Sequence, residues 1–288
     1  MSRTRLEGSP LIADREYDPQ VAHTIWELER AVKRGRASEA TRRALVKAHV
    51  DQLRMIEERA AVPEQERSFL FLQPRVVPGI LMIPGEGEGC AGLHHLGERF
   101  HRRGFAVLAS SLSYRVLGQP GRSPFYWQTC LDETEGRYDM LQHYASRIAV
   151  LGVGFGATMA LHLATSRRVS SVLALFPTLH ASLGLRERFE AVLRRLMPRQ
   201  KTPPGWSMQR RMATENAREK ADRLGTRILV IAEERHDRSE AGRSVRVAQR
   251  LLASRAAELR LVPPTQPDSR LELPPELLEE LITFARPR

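Results

Sequence analysis

Lysine and asparagine are nearly missing from this chain. Lys33, Lys47, Lys201 and Lys220 are its only lysines, against 41 arginines, and Asn216 is its only asparagine. That bias fits a GC-rich coding sequence, and scarce asparagine also suits a thermophile. It weakens any reading of the +11 net charge as a nucleic-acid signal, because compositional bias alone supplies arginine. A basic surface still attracts anionic partners. Cysteine is equally scarce: Cys90 and Cys130 stand alone, without metal-ligand spacing. This excludes a disulfide framework and a cysteine-built zinc site, and no metal or cofactor is expected. No apolar run approaches the roughly 20 residues that span a bilayer, and residues 1–10 lack the apolar core of a signal peptide. The expectation is a soluble, cytoplasmic protein without repeats or low-complexity tracts.

What is present has a clear order. Residues 1 to about 18 are polar. Pro19 opens a helix on which Val21, Ile25, Leu28 and Val32 recur at helical spacing, with Trp26 beside them, and Gly35 breaks it. Ser38 is placed to cap a second helix over 39–59, whose apolar positions include Leu45, Ala48, Leu53 and Ile56, and Pro63 ends it. Residues 1–62 therefore read as an N-terminal helical extension, docked on the following domain or offering residues 19–60 to a protein partner or a second copy. From residue 63 onward, strands and helices alternate. Strands are predicted over 68–72, 79–83, 105–109, 148–151, 169–176, 227–231 and 258–262. Helices are predicted over 92–103, 128–144, 244–252 and 274–284.

The stretch 147–164 decides the functional question. Its apolar run 148–151 reads as a buried strand, Gly152, Gly154 and Gly156 follow at alternate positions, and 157–164 reads as a buried helix. Two chemistries use a strand, a tight glycine turn and a helix. One is a nucleophile elbow, Gly-x-Ser-x-Gly, which lifts a serine hydroxyl above the sheet. The other is a phosphate cradle, Gly-x-Gly-x-x-Gly/Ala, matched here by Gly152, Gly154 and Ala157. A dinucleotide site also needs an acid roughly 20 residues on, at the end of the next strand. That strand ends Leu175-Phe-Pro-Thr-Leu179, with none, so dinucleotide binding is the weaker alternative.

The order of elements resembles the α/β-hydrolase fold, especially its small carboxylesterase and monoacylglycerol-lipase branch. The resemblance covers about 68–288 and implies a mostly parallel central sheet with helices on both faces and a helical cap inserted at about 178–224. Ile80-Leu-Met-Ile-Pro-Gly85 sits where the family has a strand ending in His-Gly. It places Glu86 and the Phe155 N–H on the oxyanion side, Gly154 at the elbow, Asp237 at the acid and Asp268 near the base. This chain departs from the pattern at the reacting groups. Gly154 has no side chain to attack a carbonyl, Pro84-Gly85 replaces His-Gly, and no histidine occurs after His236. Serine attacks and histidine moves its proton in the triad, so an orphan acid does no such chemistry.

Other candidates have plainer readings. Ser110, Ser111, Ser113 and Cys90 lie near the active-site end as conceivable substitute nucleophiles, but loop serines usually form turns. His94 and His101, two turns apart, share a helix face; His162 reads as a core histidine. The cap region is basic, with eleven Arg/Lys against five Asp/Glu over 181–224. Its aromatics are few, and no nucleic-acid motif accompanies it, so nucleic acid is not the expected partner. The sequence therefore points to a pseudoenzyme of the hydrolase type, with a small apolar or acyl ligand under the cap. The alternative is a hydrolase or lyase with an unidentified or substrate-assisted site.

Overall fold

The computed structural model describes residues 18–35, 37–85, 89–112, 126–178, 206–221, 224–234, 243–247, 257–263 and 273–287. The strands are β1 (Phe69–Phe71), β2 (Gly79–Ile83), β3 (Ala106–Ala109), β4 (Ile148–Val153), β5 (Ser171–Leu175), β6 (Arg227–Glu233) and β7 (Ala257–Val262). The helices are α1 (Pro19–Lys33), α2 (Glu39–Arg59), α3 (Ala91–Arg102), α4 (Trp127–Gln142), α5 (Phe155–Ser166), α6 (Trp206–Ala221) and α7 (Pro275–Ala285). The strands make one sheet in the order β1-β3-β2-β4-β5-β6-β7. β1 runs antiparallel to β3, with Phe69 opposite Ala109, and every other pair is parallel.

Both faces of this sheet are covered, which is why β2 to β5 are apolar without alternation. The period of two still sorts the side chains. Ile80, Met82, Val107, Leu151 and Leu173 pack with Leu93 and Phe100 of α3 and Leu281 of α7. Their neighbours in sequence, Leu81, Leu108, Val150 and Val172, face the other way. There they meet Leu141 of α4, Met159 of α5, Ala213 of α6, and Val46 and Val50 of α2. Each fully buried leucine or phenylalanine contributes about 1.5–3 kcal/mol.

The N-terminal helices start as the sequence suggests. The Asp18 carboxylate accepts from the Gln20 N–H at 2.9 Å, and the Ser38 hydroxyl accepts from the Thr41 N–H at 3.1 Å. α2 is joined to the sheet by a buried polar cluster. The Glu57 carboxylate accepts from the Ser68 N–H (2.8 Å) and the Ser68 hydroxyl (2.6 Å). Next to it, Arg137 Nε donates to the Ser110 hydroxyl at 3.0 Å. The Ser111 hydroxyl donates to the Glu66 carbonyl, and Cys90 Sγ lies 3.5 Å from it. Of the suggested substitute nucleophiles, Ser110, Ser111 and Cys90 are thus buried parts of this cluster, and Ser113 lies outside the described residues.

From β2 onward the chain direction across the sheet reverses once. β2 to β3 steps one way; β3 to β4 crosses back over β2 and the chain continues through β5, β6 and β7. Ligands of open α/β sheets bind outside the carboxyl ends of the strands at such a reversal, here the ends of β2 at Ile83 and of β4 at Val153. β4 is longer than the predicted 148–151. It runs through Gly152 and Val153 because these pair with Ala174 and Leu175 of β5.

His162 sits in the core with no exposure. Its Nε2 hydrogen-bonds the Ala213 carbonyl at 2.9 Å, and its ring lies 4.8 Å from that of Trp127. Burial pushes its pKa down to about 4. The unfolded chain therefore binds a proton that the folded chain refuses, and stability falls as pH drops from about 6.5 towards 4. A loss of about 3 kcal/mol over that window is expected from this one ring. Urea titrations at pH 7 and pH 4.5 check it: His162→Leu should flatten the difference by about 2 kcal/mol or more.

Candidate functional site

Gly154 joins β4 to α5 with φ 53° and ψ −116°, a left-handed conformation that non-glycine residues rarely hold. The turn is fixed by its backbone. The Gly154 N–H donates to the Leu175 carbonyl at 2.9 Å, and its own carbonyl accepts from Ala157 (3.2 Å) and Thr178 (3.1 Å). The three glycines do different jobs. A Cβ on Gly152 would stand 2.2 Å from the Gly156 carbonyl oxygen, and one on Gly156 would stand 2.4 Å from the Ile83 oxygen and 2.5 Å from the Pro84 oxygen. Those two glycines let α5 close onto β4 and the end of β2. A Cβ on Gly154 would meet nothing nearer than Gly85 Cα at 3.8 Å and Thr178 Oγ1 at 3.9 Å. The central position has space for a side chain, so only its backbone angles favour glycine.

The neighbouring strand end is shaped in the same way. Phe176, just after β5, has φ 47°, and its N–H donates to the Ile231 carbonyl at 2.7 Å. Such backbone strain concentrates at functional sites. Thr178 is held against the turn from two helices: Thr158 Oγ1 of α5 donates to its carbonyl at 2.9 Å and Thr214 Oγ1 of α6 at 3.2 Å. α6 thus meets α5 through Ala213, whose carbonyl is hydrogen-bonded by His162, and meets Thr178 through Thr214. It falls within 178–224, where the resemblance implies a cap, and 179–205 lies outside the described residues.

Of the site residues nominated from sequence, the structure brings together Gly154, Phe155 at the start of α5, and Pro84-Gly85 just after β2. Glu86, Asp237 and Asp268 lie outside the described residues. Thr158, Thr178 and Thr214 were missed. Their one sequence signal is a hydroxyl residue just past the Pro177 that ends a buried strand. Among the described residues no group of three His, Cys, Asp or Glu is placed to hold a metal ion, and no helix is long and apolar enough to cross a membrane. His94 and His101 do share a face. Both rings pack on Phe71, at 5.4 and 5.5 Å.

One of the two metagenome-derived lipolytic enzymes LipS and LipT superposes with a TM-score of 0.61, over 77% of this chain and 98% of that one, at 14% identity. This chain has the α/β-hydrolase fold. A soluble variant of the Saccharomyces cerevisiae monoglyceride lipase, in complex with a substrate analogue, superposes at TM-score 0.56, covering 76% of this chain and 89% of the lipase at 12% identity. The Paleococcus ferrophilus monoacylglycerol lipase follows at 0.54, with 75% and 98% covered and 14% identity. No protein-family model and no curated protein matches the sequence. An α/β-hydrolase fold hosts many activities, so function rests on what the β4–α5 turn carries.

Proposed function

We propose that this α/β-hydrolase-fold protein binds a small apolar or acyl ligand at the sheet's reversal point without hydrolysing it. One observation carries the reading: the turn at Gly154 keeps an elbow's backbone and room for a side chain, yet holds no nucleophile. In this reading Gly154 is the vestigial nucleophile position, Asp237 the surviving acid and Asp268 the neighbour of the lost base. Glu86 and Phe155 border the oxyanion side. The start of α5 directs its backbone dipole at the polar end of the ligand. The ester stays intact because no hydroxyl at 154 forms a bond to the acyl carbon and no histidine after His236 takes a proton. The second reading, a hydrolase or lyase with another nucleophile or substrate-assisted chemistry, is favoured by the likeness to solved esterases and lipases.

Hydrolysis of p-nitrophenyl butyrate separates the two. The purified protein is expected to give no turnover above buffer, and Gly154→Ser alone to remain inactive for want of a base. Gly154→Ser with Asp268→His is expected to raise turnover at least about tenfold, since a positioned general base is worth about 100-fold or more. Turnover in the unsubstituted protein that survives repurification decides for the second reading.

A further inference from the structure

On the opposite side of the sheet's reversal from β5 to β7, the sheet ends at β1. β1 pairs with β3 alone, so among the described residues no strand meets its outer edge. Unpaired edges template the addition of another strand. Beside this edge lies a groove of about 550 Å³ between α2 and β1. Its floor includes Val50, Leu70 and Leu72, and its rim carries Arg43, Lys47 and Arg54. We infer that this groove receives an acidic peptide in extended conformation, added as a strand along β1.

Length, charge and alternation agree. The lining residues of α2 run from Ala40 to Arg54, about 21 Å of helix at 1.5 Å per residue. An extended segment of about six residues has that length. Asp51, the one acid in the lining, lies 2.6 Å from Lys47. Arg43 remains as an exposed cation on the rim, and exposed Arg54, which also acts on Glu57, adds a second. Their charge selects carboxylates over a second copy of this chain, which itself carries +11. Side chains of an added strand alternate between faces. Every second one would face the α2 cations, and those between would meet the half-buried rings of Phe69 and Phe71 with His94 against them. The ligand is therefore a segment of alternating acidic and apolar residues, read by main-chain hydrogen bonds and side-chain pockets together.

The test uses the full chain and a fluorescein-labelled, end-blocked octapeptide of alternating glutamate and valine. Anisotropy should show saturable binding at 50 mM salt. Arg43→Glu with Lys47→Glu, both exposed and checked for an unchanged melting curve, should weaken it at least tenfold. Proline in place of a central valine, which removes a ladder donor, should weaken it as much. Three results overturn the inference: no binding, equal binding of the lysine–valine peptide, or binding indifferent to the charge reversal or to proline. Displacement of the peptide by an octathymidylate at lower concentration would assign the surface to nucleic acid instead. A dimer seen by light scattering that the double charge reversal dissociates would assign it to a second copy.

Discussion

Gly156→Ala is expected to cost more than about 3 kcal/mol. The new methyl would stand 2.4 and 2.5 Å from the Ile83 and Pro84 carbonyl oxygens. These are backbone atoms of a buried strand end, so no rotamer change relieves the overlap. Relief needs α5 to lift off the sheet, which opens the core around Phe155, Met159 and Leu163. For a chain of this size each kcal/mol lowers the melting temperature by about 2–4 °C, so calorimetry should show a drop on the order of 10 °C. Gly92→Ala in α3 is the control. Nothing lies within 4 Å of its added Cβ, and a stabilising change of up to about 1 kcal/mol is expected. A Gly156→Ala protein melting like its parent would mean that the close approach of α5 to β2 is not obligatory. The elbow reading would then lose its geometric basis.

Glu57→Ala is the second large loss, expected at about 3–5 kcal/mol from two buried hydrogen bonds lost and the space left behind. It leaves the Ser68 N–H without its acceptor and takes away the carboxylate facing Arg137 and Arg54. Burial raises the pKa of Glu57, against the opposing pull of Ser68 and the two arginines. The sign follows. A carboxyl that holds its proton more tightly when folded gives stability that is complete below 4.5 and declines as pH rises through the folded value. Glu57→Gln mimics the protonated form. It should cost only about 1 kcal/mol, the worth of one hydrogen bond, and should remove the decline. Urea titrations of the three proteins between pH 4 and 8 measure both effects. An alanine variant as stable as the parent would show that α2 is held by Val46 and Val50 alone.

Much of the architecture was legible from sequence because two simple periods govern it. Helix α1 begins at Pro19 and α2 at Glu39 as predicted, since proline and a capping serine fix helix starts locally. β2 matches its predicted range, and the other strands differ by one to a few residues at their ends. Those ends are set by pairing rather than propensity: Gly152 is a poor strand former, yet it lies opposite Ile83 and Ala174. The family resemblance implied a mostly parallel sheet, but the order β1-β3-β2-β4 was not read from the sequence, because nothing local in β3 says which neighbour it will take. At the candidate site the glycines were visible and their separate duties were not. That 152 and 156 are blocked by backbone while 154 is open is a property of three elements meeting. The Glu57 cluster was missed for the same reason. Its members come from α2, the start of β1, the end of β3 and α4, and none carries a motif.

That cluster also has a consequence in time. Glu57 leaves the ribosome about 80 residues ahead of Arg137, a delay of about 4–16 s at 5–20 residues per second. The arginine that faces Glu57 and the Ser110 hydroxyl it binds are thus made well after α1 and α2 could first form. A carboxylate in water has no reason to enter an apolar surface early, so Glu57 is expected to delay docking of the hairpin while the sheet is incomplete. The residue that joins α2 to the finished sheet is thus expected to serve, during synthesis, as a hydrophilic guard until β3 and α4 arrive.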